Sequence, residues 1–247
     1  MKALGIDIGG SGVKGAVVDL RTGRLVSERY RLKTPSPATP KAVAQKVSQI
    51  VRHFKWKGPV GCAMPGPIKD GKLKAIANLH KSWVGERADV LFTKASGRRV
   101  TVLNDADAAG LAEMKFGAGR KQNGVVVLVT LGTGIGSALF ANGCLVPNTE
   151  FGQMEIGGRT AEQRASAKVR KQKDLSWEKW AKRLESYLCR LEALLYPDLI
   201  IVGGGVSRRS KKFLPLVNTR ARILPARLRN EAGIVGAALA AIRPPVR

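Results

Sequence analysis

Three short stretches of the chain carry residue types suited to handling a phosphate group. Asp7-Ile-Gly-Gly-Ser-Gly-Val-Lys14 places a carboxylate, a glycine turn and a lysine along one apolar run. Leu131-Gly-Thr-Gly-Ile-Gly136 repeats the glycine turn between two further apolar runs. Val102-Leu-Asn-Asp105 ends an apolar run on an amide and a carboxylate. Glycine tips expose backbone N–H groups, and without a Cβ the chain can approach phosphate oxygens closely. Gly9, Gly10, Ser11 and Gly12, with Gly132, Thr133, Gly134 and Gly136, are therefore candidate phosphate-binding residues, and Lys14 a candidate countercharge. Asp7 is placed to hold Mg2+ through water. Asp105 can accept a proton from a hydroxyl as that oxygen attacks phosphorus, which makes it the candidate catalytic base. Each feature also has a plainer use. The turns can be tight hairpins whose glycines supply φ > 0, Asp105 can be a helix N-cap, and Asp107 a first-turn charge favoured by the helix dipole.

The elements that position these residues follow from apolar periodicity and turn signals. Ala3–Val18 and Gly124–Phe140 each read as strand, glycine turn, strand, the second ending in the turn Ala141-Asn-Gly143. A third run around Leu25–Arg31 follows the first pair. Gly10-Ser-Gly12-Val-Lys-Gly15 matches the dinucleotide fingerprint, but that motif needs a helix after the turn, and β-branched residues here predict a strand. A helix over Lys41–Phe54, a strand over Val60–Met64, a helix near Arg87–Ser96 and a strand over Arg99–Leu103 lead to Asn104-Asp105 and a helix over Ala106–Phe116. Asn148–Thr160 reads as a loop, Glu162–Lys171 and Ser176–Leu195 as helices. Leu199–Val202 is a strand ending in Gly203-Gly204-Gly205, and an Ala-rich helix begins at Ala232. The repeated hairpin predicts two similar α/β lobes facing across a cleft: residues 1–105, completed by a C-terminal helix over 232–247, and residues 106–231.

At 247 residues the chain can form one large domain or two modest ones. Lys and Arg total 43 against 18 acids, a formal charge of +25. That balance predicts attraction to polyanions. On composition nucleic acid ranks first, followed by anionic membrane and long phosphate polymers. Aromatic content of 5% argues against base-stacking platforms. No apolar run is long enough to cross a bilayer, and the start of the chain reads as a strand rather than a signal peptide. Cys62, Cys144 and Cys189 are too few and too widely spaced for a disulfide framework or a zinc knuckle, which fits a reducing cytosol.

Taken in order, Asp7–Gly15, Asn104-Asp-Ala-Asp-Ala-Ala-Gly110, Leu131–Gly136, Asn148-Thr-Glu-Phe-Gly152 and Ile201-Val-Gly-Gly-Gly-Val-Ser207 resemble the motifs of the ROK sugar kinases. Ala77–Trp83, Ala161–Ser166 and Pro197–Ser207 resemble the members that phosphorylate glucose from inorganic polyphosphate. The resemblance runs over nearly the whole chain. It implies a two-lobed, actin-like (ribonuclease H-like) α/β fold, a Mg2+-dependent phosphotransferase, and a cytoplasmic homodimer. It makes Asp105 the base and Asn104 a glucose ligand, and adds Asn78, Glu150 and Glu162 as sugar contacts. Gly203, Gly204 and Gly205 match the loop that meets adenosine in ATP-using relatives. The family motif Glu-x-Gly-His stands here as Glu150-Phe-Gly-Gln153; Gln153 can hydrogen-bond a sugar but cannot carry a proton at neutral pH. His80 stands where relatives commonly have Asp, and the family's cysteine-rich zinc motif is absent. Lys14, Arg159, Lys168, Arg170, Lys171, Arg208, Arg209, Lys211 and Lys212 are candidates for a polyphosphate path. An ATP-dependent glucose or mannose kinase and a weakly catalytic sugar- or polyanion-binding protein are the alternatives. Repressor relatives carry an added N-terminal helix-turn-helix, whereas Met1 here leads straight into the first strand.

Overall fold

The computed structural model describes residues 1–76 and 78–242. Ala77 of the sugar-contact loop and residues 243–247 of the anticipated terminal helix lie outside the described residues. By internal packing the chain forms two units, residues 1–112 with the segment from Glu231 onward, and Glu113–Asn230.

The first unit contains β1 (Lys2–Gly9), β2 (Gly12–Asp19), β3 (Arg24–Leu25), β4 (Tyr30–Leu32), α1 (Pro40–His53), β5 (Val60–Met64), β6 (Ile68–Lys69), β7 (Lys72–Leu73), α2 (Ala88–Ser96), β8 (Val100–Asn104) and the start of α3 (Asp105–Phe116). Its main sheet runs β3-β2-β1-β5-β8, with β4 also paired to β2. The predicted run over Leu25–Arg31 is two short strands. α1 starts where Thr39 accepts from the Ala42 N–H and Pro40 takes the first turn. Val43, Ala44, Val47, Ile50 and Val51 form its buried stripe, each larger side chain contributing about 1.5–3 kcal/mol. α7 (Ala232–Ile242), the last element of the chain, packs against β1 and β5. Small residues permit this. A Cβ at Gly5 would overlap the Ile234 carbonyl, and one at Gly61 the Ala237 carbonyl.

The second unit contains β9 (Val125–Leu131), β10 (Ile135–Ala141), β11 (Cys144–Val146), β12 (Glu155–Ile156), β13 (Arg159–Thr160), α4 (Ala161–Ala165), α5 (Ala167–Gln172), α6 (Trp177–Leu195), β14 (Leu199–Gly203) and β15 (Arg222–Pro225). Its sheet runs β11-β10-β9-β14-β15, the same plan as the first: an antiparallel hairpin whose leading strand pairs in parallel with the next strand, which pairs in parallel with the last. α6 buries Trp180, Leu184, Tyr187, Leu188 and Leu191 beneath this sheet's hydrophobic face. The single helix expected over Glu162–Lys171 is divided. Ser166 adopts extended backbone, closes α4, and caps α5 by accepting from the Val169 N–H at 3.3 Å. Glu113, wholly buried, accepts from the backbone N–H groups of Ala118, Arg227 and Leu228 and so fastens the two ends of this unit together.

Candidate active site

The first glycine turn closes the β1–β2 hairpin, with Gly9 opposite Gly12 and Gly10-Ser11 exposed at the tip. None of its glycines, nor Gly132, Gly134 or Gly136 in the second turn, has φ in the left-handed region, so a demand for positive φ does not explain them. Close approach explains Gly10 and Gly12 in the first turn and Gly134 in the second. A Cβ on Gly10 would lie 3.1 Å from the Asn78 carbonyl oxygen, and one on Gly12 would lie 2.8 Å from Arg31 Nε. The expected sugar-contact residue Asn78 therefore lies against the first glycine turn. Two carbonyls of the turn are held by side chains from one segment: Thr34 Oγ1 donates to Gly9 O at 2.6 Å and Arg31 Nη2 to Ser11 O at 3.2 Å. Asp7 faces Lys14 in register, and their charged ends are 3.4 Å apart.

Asn104 ends β8 and is 4% exposed. Its Oδ1 accepts from the N–H groups of Ala106 at 2.8 Å and Asp107 at 3.1 Å, so Asn104 is the N-cap of α3. The capping role considered for Asp105 thus belongs to its neighbour. Asp105 is the first residue of α3, partly exposed, where aligned peptide dipoles favour a carboxylate. Asp107 is buried in the same turn. His80 is used locally: its Nδ1 accepts from Ser82 N at 3.2 Å and caps the short turn Lys81–Trp83. His53 stacks on Tyr30 with ring centroids 3.8 Å apart.

The second turn has different partners. Gly132 O accepts from Lys168 N at 3.0 Å, and Ile135 N donates to Glu162 Oε2 at 2.9 Å. A Cβ at Gly134 would overlap that same carboxylate. Glu162 sits in the first turn of α4, which is fixed by a reciprocal capping box between Thr160 and Gln163. The Glu150–Gln153 motif is anchored to β10 as well: Ser137 Oγ accepts from Phe151 N at 2.9 Å and donates to Thr149 O at 2.7 Å. A Cβ on Gly152 would overlap the Ile135 carbonyl, so Ile135 meets both acidic segments. Burial raises the Glu150 carboxyl above the ordinary range, and the Glu162 charge raises it further. Tyr187 lies buried in the same core, its hydroxyl pushed up by burial and by Glu150. Gln153 is exposed. Gly204, at φ 81, passes so close to the Leu131 backbone that no Cβ fits, which seats the third glycine run beside the second turn.

Of the basic residues considered for a polyanion path, Arg159, Lys168, Lys171, Arg208, Arg209, Lys211 and Lys212 are exposed. Arg170 is committed to the fold, stacked 3.9 Å over Trp177 and donating to Leu175 O at 2.8 Å. Sequence patterning did not single out Arg31 or Thr34, because only the β2–β4 register brings them to the turn. Among the described residues no group of three or more His, Cys, Asp or Glu gathers to hold a metal ion, and no helix is long and apolar enough to cross a membrane.

A family model described as the ROK family matches residues 3–166. The chain is 51% identical over 239 residues to a polyphosphate glucokinase of Mycobacterium tuberculosis, covering 96% of this chain and 90% of that protein. The inorganic polyphosphate/ATP-glucomannokinase of Arthrobacter sp. strain KM superposes with a TM-score of 0.93 at 48% identity, over 98% of both chains. A ROK family glucokinase from Streptomyces griseus, solved with glucose and AMPPNP, gives 0.84 at 25% identity over 98% of this chain and 100% of that one.

Proposed function

This chain belongs to the ROK family, and from that premise we propose that it transfers the terminal phosphoryl group of inorganic polyphosphate to the 6-hydroxyl of glucose. The α/β fold, two units with one strand order, is the actin-like fold of these sugar kinases. The observation that carries the reading is the 51% identity to a polyphosphate glucokinase over 96% of the chain.

In the proposed reaction the Asp105 carboxylate takes the proton of the 6-hydroxyl as that oxygen attacks the terminal phosphorus. The bridging P–O bond breaks, leaving glucose 6-phosphate and a polyphosphate one unit shorter. Backbone N–H groups of Gly9–Gly12 and Gly132–Gly136, with Lys14, stabilise charge on the transferring oxygens, and Gly203–Gly205 borders the donor. Asn78, Asn104, Glu150, Gln153 and Glu162 are the proposed sugar ligands. Carboxylates and amides suit a ring of hydroxyls, which need both donors and acceptors. Because Asn104 caps α3 through Oδ1, its amide nitrogen is the end proposed to donate to glucose.

Asp7, part-buried and beside Lys14, belongs to no group of three or more His, Cys, Asp or Glu among the described residues. That fits Mg2+, which keeps several waters and takes other ligands from phosphate, and does not fit a structural zinc. Mg2+ held there through water would neutralise charge on the donor's phosphate oxygens. A cytoplasmic homodimer completes the proposal, on the strength of family membership.

The Arthrobacter enzyme's description includes ATP and mannose, so ATP as donor and mannose as acceptor form the second reading. Initial rates of glucose 6-phosphate formation with long-chain polyphosphate and with ATP separate the two. The expected result is turnover with polyphosphate; its absence would overturn the donor assignment. Asp105→Asn is expected to lower kcat about 10²–10⁴-fold with little change in either KM. Near wild-type turnover would remove Asp105 as the base.

A further inference from the structure

Asp7 on β1 lies opposite Lys14 on β2, and Lys14 lies opposite Arg31 on β4. Directly opposed residues of antiparallel strands project on one face, so the three side chains form a row beside the first glycine turn. The row holds two cations and one anion. Asp7 partners Lys14 at 3.4 Å, whereas Arg31 donates to a neutral carbonyl, Ser11 O, at 3.2 Å, and pairs with no carboxylate among the described residues. Like charges directly opposed across a ladder cost stability unless an anion lies between them. Gly12 leaves room for the guanidinium against the backbone, since a Cβ there would sit 2.8 Å from Nε and 3.3 Å from Nη2. Thr34, from the same segment, holds Gly9 O at 2.6 Å. Both carbonyls are thus engaged from the β4 side, which reduces their repulsion of an anion at the exposed Gly10-Ser11 tip.

We propose that Arg31 is a second cationic ligand for the condensed phosphate donor, acting beside Lys14 at the first glycine turn. The inference rests on the polyphosphate reading of this site and extends it to a residue outside the glycine motif. A planar guanidinium with five N–H donors suits a chain of phosphate oxygens, and only one of those donors is committed to Ser11. Arg31 is exposed, so it can exchange Ser11 for the donor without opening the core.

The test uses Arg31→Gln and Arg31→Lys in the full chain, with kinetics on long-chain polyphosphate and calorimetry on tripolyphosphate. Arg31→Gln is expected to raise donor KM about tenfold, in line with loss of a charged hydrogen bond. It should weaken tripolyphosphate binding similarly, flatten the dependence of donor KM on salt, and leave glucose KM within about twofold. Arg31→Lys should recover part of each effect. Unchanged donor KM and tripolyphosphate affinity would overturn the proposal. So would an equal rise in both KM values with a lowered Tm, which would make Arg31 only a brace for the turn. If the wild-type chain makes no glucose 6-phosphate from polyphosphate yet binds tripolyphosphate through Arg31, the reaction assignment fails and the ligand assignment stands.

Discussion

At the first glycine turn, Arg31 and Thr34 donate to carbonyl oxygens and Lys14 lies on the neighbouring strand. At the second, the Glu162 carboxylate accepts from Ile135 N and fills the space beside Gly134, with Glu150 close enough to share its electrostatics. Both turns connect the same two positions of the same sheet plan. Their surroundings nonetheless carry opposite charge, because different segments return over each tip: the strand β4 over one, the start of α4 over the other. One strand–turn–strand design can therefore present a basic edge or an acidic one, with Gly10 and Gly12 serving close approach at the first and Gly134 at the second. The basic turn suits a phosphate chain. The carboxylates around the second turn suit a neutral polyol, whose hydroxyls donate to them, while the turn's own backbone N–H groups remain the ends proposed for the phosphoryl group.

The largest test of this contrast is Gly134→Ala. The added methyl must displace Glu162, so glucose KM should rise about 10–100-fold, the cost of a lost charged hydrogen bond worth about 1.5–3 kcal/mol. Donor KM should move far less. If steady-state kinetics show glucose KM unchanged while donor KM rises, Glu162 does not serve the sugar and the contrast breaks.

A moderate effect is expected for Glu150→Gln on stability. Burial raises the Glu150 carboxyl above its ordinary 4.5. A carboxylate raised on folding costs stability once pH exceeds its unfolded value, and the cost grows until pH passes the folded value. The Gln variant should thus melt above wild type at pH 7, with the gap closing as pH falls through the raised folded value and gone below about 4.5. A gap independent of pH across thermal melts would show that Glu150 is not strained by its surroundings. The smallest effect is expected at Gly132, where an added Cβ meets nothing within 4 Å. Gly132→Ala should stabilise by about 0.4–1 kcal/mol through the unfolded chain, while raising donor KM a few-fold if phosphate approaches that backbone. Thermal melts and donor kinetics on one preparation read both.

Much of this was legible in the sequence because it is local. The two hairpins, the helix that follows the Pro-rich segment, the strand-to-helix junction at Asn104-Asp105 and the start of α7 at Ala232 all follow from runs, turns and caps within a few residues. The break at Ser166 was local too, a serine cap hidden inside an otherwise helical pattern. What was not legible depends on register or long separation. Arg31 meets Ser11 across 20 residues, Glu162 meets Ile135 across 27, and Glu113 meets Leu228 across 115. No periodicity encodes which glycine stands under which carboxylate. The exchange of capping between Asn104 and Asp105 is a one-residue matter that composition cannot settle, since both types cap well.

The return of α7 to the first unit has a consequence for how the chain is made. Gly5 and Gly61 keep β1 and β5 bare so that a helix can lie directly on them, and that helix begins at residue 232. During synthesis the first sheet therefore waits, one face uncovered, while the whole of Glu113–Asn230 emerges. The second unit is continuous in sequence and can close first, against the usual N-terminal-first order. A chain emerging from its first residue therefore carries an unfinished first unit for more than a hundred residues, and the docking of this alanine-rich helix follows the appearance of the whole second unit.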